Sequence, residues 1–191
     1  MQCVGCATEI SLRLKNYLCF HCGEIACSKC GQEVFKNCPT CRTPRSKRAT
    51  FNNLIEIIEK EPYHKNRVWI YYTIADNLKD KKLSYKWFLK AAHEGIPSAM
   101  DYIGYLYLKG LRGVVKKDYK KALQWLTLSA ENGFKHSFFD LAFIYEKGLG
   151  VTPDPYRATT IYLVGGLKGC LKCRETTEKR ALQLEGFKTA Y

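Results

Sequence analysis

Eight cysteines stand as four Cys-x2-Cys pairs in the first 41 residues: Cys3 and Cys6, Cys19 and Cys22, Cys27 and Cys30, Cys38 and Cys41. A Cys-x2-Cys pair turns tightly enough to aim two thiolates at one ion, and two such pairs complete a tetrahedral zinc site. Eight ligands therefore predict two zinc ions. Disulfides fit less well. The opening "MQCVGCATEI" has neither the basic n-region nor the apolar h-region of a secretory signal. The expected compartment is reducing, the cytoplasm with the nucleus as alternative, and structural disulfides are rare there. A redox Cys-x-x-Cys would need a βαβ context, which these flanks lack. A stretch of about 45 residues cannot bury enough surface to fold alone, so bound metal would supply the missing stability, on the order of 10–16 kcal/mol at neutral pH. Spacing leaves two pairings open. Sequential sites would give two zinc ribbons, and interleaved sites a cross-brace.

The text around the later pairs is more specific. "CGEIACSKC" followed by "CPTCRTP" resembles a RING finger, whose usual pattern is C-G-H-x-x-C-x-x-C and then C-P-x-C-R. The resemblance covers residues 1–45. It implies the interleaved pairing, with Cys3, Cys6, Cys27 and Cys30 at one ion and Cys19, Cys22, Cys38 and Cys41 at the other. It also implies recruitment of a ubiquitin-conjugating enzyme, for which Val4 and Arg42 would be the contacts. Arg42 matches the Arg that RING fingers carry after the eighth ligand. The two apolar positions used by the family fall on Gly5 and Gly31, and glycine has no side chain to bury against a partner. The zinc scaffold is thus better supported than the ligase surface.

Behind this module the sequence repeats. Asp80, Asp118 and Asp154 are spaced by 38 and 36 residues. Seven residues after each come Trp87, Trp125 and Ile161; fifteen after, Gly95, Gly133 and Gly169; nineteen after, the small residues Ala99, Ser137 and Cys173. Asp is a preferred N-cap. The aromatic or Ile is expected to face a neighbouring helix, the Gly to end the helix at positive φ, and the small residue to let the next helix approach. Each unit then reads as a helical hairpin, with "GLRGVVKKD" and "GLGVTPD" as the loops inside the second and third. "YIGYLY", "KKALQWL" and "FIYEKGLGV" resemble Sel-one-like repeats, relatives of the tetratricopeptide repeat. The resemblance covers about residues 66–175, with a shortened loop at "NLKDK" in the first unit. It implies a solenoid whose concave face binds a protein. Cys170 and Cys173 form a fifth Cys-x2-Cys pair, but Cys173 occupies the small packing position, which favours a structural role. The four histidines share no repeat offset.

Between the two parts, "RTPRSKRAT" is basic and turn-prone, and "FNNLIEIIEKEP" reads as a short amphipathic helix stopped by Pro62. The net charge is +13, divided over the four quarters of the chain as +5, +2, +3 and +3. The excess is broad, with one cluster at Arg42, Arg45, Lys47 and Arg48. Such a balance favours acidic partners. These four, with Lys116, Lys117, Lys120 and Lys121 of the second repeat, are the candidate RNA contacts. No run of 18 apolar residues exists, so no transmembrane helix is expected. No nucleophile–base constellation, phosphate loop or paired-carboxylate motif is visible.

The expected architecture is a small zinc-stabilised cross-brace domain (1–45), a basic linker with a short helix (46–65), and an all-α helical-hairpin stack, an α-solenoid, with a capping helix (66–191). The expected function is a non-catalytic adaptor docked on an acidic assembly such as a ribosome or another ribonucleoprotein. The alternative is a RING-type ubiquitin ligase that uses the repeats to hold its substrate.

Overall fold

In a computed structural model, residues 17–18, 25–26, 51–61, 63 and 66–188 are described, with side chains over 54–61, 63 and 66–181. Two short strands come first, β1 (Tyr17–Leu18) and β2 (Ile25–Ala26). They pair antiparallel, Tyr17 opposite Ala26 and Leu18 opposite Ile25. The chain therefore reverses between them, with Cys19 directly after β1 and Cys27 directly after β2. The eight cysteines and Arg42, Arg45, Lys47 and Arg48 lie outside the described residues, as do Val4, Gly5 and Gly31. Among the described residues eight helices follow: α1 (Phe51–Lys60), α2 (Arg67–Asn77), α3 (Lys81–His93), α4 (Pro97–Lys109), α5 (Tyr119–Glu131), α6 (Ser137–Lys147), α7 (Pro155–Leu167) and α8 (Leu171–Lys188). The chain divides into two compact units, Met1–Ile96 and Pro97–Tyr191.

In the first unit, α1 is the amphipathic helix expected before Pro62. Its Leu54 and Ile58 meet Ile70 and Ile74 of α2, with Trp87 of α3 at the edge of the cluster. The linker helix is thereby fixed to the first repeat. The α2–α3 turn is the shortened loop, and Asp80 caps α3 by accepting hydrogen bonds from the Lys82 and Leu83 amides at 2.8 and 3.1 Å. Arg67 and Glu94 tie the start of α2 to the end of α3 through two hydrogen bonds, at 2.9 and 3.3 Å.

The second unit repeats the hairpin. Asp118 caps α5 through the Lys121 amide at 3.0 Å, and Asp154 caps α7 through the Arg157 amide at 2.9 Å. Gly133 and Gly169 take φ of +79° and +87° where α5 and α7 end, a conformation that costs a β-carbon residue strain. Ala99, Ser137 and Cys173 are each fully buried, as the small packing position requires. Trp87 meets a neighbouring helix as expected, its ring 5.6 Å from that of Tyr71 on α2, and Ile161 packs at the edge of the second unit's core. Trp125 and Ile161 are only half-buried, whereas the residues one step later, Leu126 and Tyr162, are 0% and 2% exposed. A turn of 3.6 residues makes the two positions adjacent, and the second is the one aimed inward. Helix α8 begins at Leu171 directly after the turn, where the Cys170 carbonyl accepts from the Arg174 amide at 3.1 Å.

Candidate partner-binding surface

The α4–α5 loop carries two of the candidate cations. Gly110 and Gly113 sit at φ of +75° and +76°. Around them Leu111 and Val115 form an antiparallel bridge, and the Asp118 amide donates to the Tyr107 carbonyl at 2.9 Å. This ties the loop down and leaves Lys116 and Lys117 exposed, with Lys120 and Lys121 exposed on the first turn of α5. Lys121 is engaged, 3.6 Å from Asp118 and 5.4 Å above the Tyr107 ring. The capping hydrogen bond from the Lys121 amide holds the Asp118 carboxyl below its ordinary value. The structure thus brings these four together within one loop and one helical turn. Their relation to Arg42, Arg45, Lys47 and Arg48 falls outside the described residues.

Sequence reasoning missed a buried polar chain. Ser137 Oγ lies 2.6 Å from Asp101 Oδ1 and 2.7 Å from Ser129 Oγ, and Ser129 Oγ lies 2.6 Å from the Pro97 carbonyl. Ser129 must donate to Pro97, which has no hydrogen to offer. Ser129 can then only accept from Ser137. If Asp101 is ionised, the single Ser137 proton has two acceptors and one contact goes unmade. If Asp101 is protonated, every oxygen in the chain has its hydrogen. Burial raises the Asp101 pKa to about 6, against the pull of its Ser137 hydrogen bond, and neighbouring Asp140 adds to the rise. Asp140 is itself raised by burial, opposed by Lys109 and Lys172.

A measurable pH dependence follows. Between about pH 4 and 6, native Asp101 holds a proton that the unfolded chain releases, so stability falls as pH rises across that window. A shift of about two units corresponds to about 3 kcal/mol at most. Asp101→Asn cannot ionise and can still donate to Ser137. It should flatten the slope of chemical-denaturation midpoints between pH 4 and 6 and raise stability at pH 7. An unchanged slope would mean that Asp101 titrates as it does in the unfolded chain.

The far end of the second unit is also tied by polar contacts. Arg180 bonds the Glu146 carboxylate, sits 4.8 Å over the Tyr162 ring, and Tyr162 Oη donates to Glu146 at 3.2 Å. Burial pushes Glu146 up, but Lys147 and Arg180 together hold it below its ordinary value. Cys170 and Cys173 are free thiols, 1% and 0% exposed. A β-carbon added to Gly165 would lie 2.7 Å from Cys173 Sγ and from Phe138 Cβ. Cys173 is thus the small packing residue the repeat offset predicts, and burial beside Cys170 raises its pKa. Among the described residues, no three His, Cys, Asp or Glu side chains are grouped to hold a metal, and no helix is long and apolar enough to cross a membrane.

A family model for the Sel1 repeat matches residues 78–96, 97–134 and 139–162. These segments contain α3, the α4–α5 hairpin, and most of α6 with its loop and the start of α7. Residues 78–162 carry Sel1 repeats. A solved Sel1 repeat protein from Oxalobacter formigenes is similar over 68% of this chain and 53% of its own, at 31% identity and a TM-score of 0.57. Among curated proteins, the ERAD-associated E3 ubiquitin-protein ligase component HRD3B of Arabidopsis thaliana is 32% identical over 96 residues, half of this chain. Chitin synthase regulatory factor 3 of Schizosaccharomyces pombe is 29% identical over 105 residues, 55% of this chain. The matched regions span only 15% and 11% of those two proteins. The matched repeats and the solved structure support an all-α helical-repeat solenoid, the Sel1 fold.

Proposed function

We propose that the chain is a non-catalytic adaptor: a two-zinc platform at residues 1–45, and Sel1 repeats that hold a protein partner. Solenoids of this kind bind through extended concave surfaces. The platform rests on four Cys-x2-Cys pairs with the spacing of two closed tetrahedral sites. The observation that carries the docking target is charge. The chain is +13, and Lys116, Lys117 and Lys120 stand exposed on a loop and helix start that backbone hydrogen bonds fix in place. Fixed cations of this sort suit phosphate, so an acidic assembly such as a ribosome or another ribonucleoprotein in the cytoplasm is the favoured target.

Phosphate contacts release counterions, and each contact adds roughly 0.7–0.9 to the fall of log affinity with log salt. Engagement of Arg42, Arg45, Lys47 and Arg48 predicts a slope near −3. Replacing all four with Ala should flatten it and weaken binding by about the same factor for every RNA sequence, because backbone contacts position without specifying. Ribosome co-sedimentation over a salt series reads both effects. Binding that is absent at low salt, or unchanged in the four-fold variant, removes this patch.

A second reading has its own support, the RING-type "CPTCR" together with a relative named as a ubiquitin-ligase component. On that reading Val4 and Arg42 contact a ubiquitin-conjugating enzyme, and the repeats hold a substrate. Gly5 and Gly31 leave little apolar contact, so weak discharge of ubiquitin is expected. Robust discharge abolished by Arg42→Ala would displace the adaptor.

A further inference from the structure

The second and third repeats present different outer faces. In α5 and the turn after it, Lys120, Gln124, Leu128, Glu131 and Lys135 are all exposed. Thirty-six residues on, the equivalent positions are Tyr156, Thr160, Val164, Leu167 and Leu171, and these too are all exposed. Both lysines and the glutamate have become apolar. Tyr156 and Leu167 are each 89% exposed, Leu171 60%, and the adjoining Leu163 52%. Because the α5 equivalents stay exposed with α4 and α6 packed on that helix, stacking a further repeat would not cover this face. It is not simply the open end of a solenoid.

The spacing narrows what could cover it. Tyr156, Thr160, Leu163 and Leu167 follow steps of four, three and four, the seam spacing with which one helix packs along another. A membrane would favour a broader apolar face. Helix α7 contains no acidic residue, its one charged side chain is Arg157, and exposed Lys168 and Lys172 follow it. On α8, Glu178 is paired with Arg174 at 3.6 Å, and exposed Glu175 is outnumbered by exposed Lys172, Arg174 and Lys179. A second copy would bring Arg157 and Lys168 against the same cations in a chain already at +13, in either helix direction.

We infer that α7 is a docking surface for an amphipathic helix of a partner protein, with apolar residues at four-three-four spacing flanked by Asp or Glu. This rests on the scaffold reading and gives it a surface. The test selects helical peptides from a displayed random library against the full chain. Enriched peptides should carry that seam with acidic flanks. Binding should weaken at least tenfold to the Leu163→Gln/Leu167→Gln chain, which adds no charge, and at least tenfold when the peptide's flanking acids become Lys. Both leucines are exposed, so the variant's melting temperature should be unchanged. Enriched peptides that bind the variant equally well overturn this surface while leaving the scaffold reading intact; no enrichment at all counts against both. Vesicles of phosphatidylserine and phosphatidylcholine in equal parts that bind the wild type and lose the variant would make the face a membrane contact instead. A wild-type dimer in sedimentation that the variant dissociates would make it a self-interface.

Discussion

Stripping zinc from the chain should remove two ions and unfold residues 1–45 while the helical signal of the repeats persists. The expectation comes from arithmetic. A stretch of about 45 residues buries too little apolar surface to offset its conformational entropy. Structural zinc contributes on the order of 10–16 kcal/mol at neutral pH, which is comparable to the whole stability of most domains. The repeats have their own core, built on residues such as Ile74, Ile103, Leu126 and Ile144, all 0% exposed, so their helices should outlast chelation. Native mass spectrometry before and after chelation gives the count, and circular dichroism gives the helices. Substitutions then separate the two pairings. In the interleaved arrangement Cys27 and Cys38 serve different ions, so each Ser variant should keep one zinc and the double variant none. In the sequential arrangement both serve one ion, and the double variant would keep one.

The second large effect lies at the α4–α5 crossing. Leu126 is fully buried, and a β-carbon built on Gly104 would come within 2.7 Å of Leu126 Cγ. Leu126→Ala removes about three buried carbons and leaves a void, which costs about 2–5 kcal/mol. Gly104→Ala overpacks the same spot and costs about 1–3 kcal/mol. Together they should cost less than their sum, because the added methyl enters the space the leucine vacates. A coupling of about 0.5–3 kcal/mol is the range for residues in contact. Denaturant titration followed at the helical band measures all three variants. Strict additivity would mean that α4 and α5 do not meet at this point.

Much of this was legible in the sequence, for local reasons. Asp80, Asp118 and Asp154 act within three residues of themselves, and Gly133 and Gly169 respond to their own backbone angles. A motif can report such features. The amphipathic α1 was likewise readable from its own spacing. What escaped depends on distances between helices. Gly104 matters because Leu126 stands over it. Ser137 read as a small packing residue, which it is, but its hydroxyl also joins Asp101 and Ser129, 36 and 8 residues away. The choice between Trp125 and Leu126 as the buried residue is a matter of about 100° of rotation around α5, finer than a repeat offset can give. The apolar face of α7 was visible as letters, yet only its exposure separates it from core. The cysteine module remains a reading of spacing and resemblance.

We propose an adaptor that docks on an acidic assembly. Purifying the tagged, full chain from its own cells at low salt, and identifying what comes with it, tests this most directly. Ribosomal or other ribonucleoprotein particles should co-purify, and should be released both by salt and by nuclease. Recovery of ubiquitin-conjugating enzymes with no RNA would contradict it.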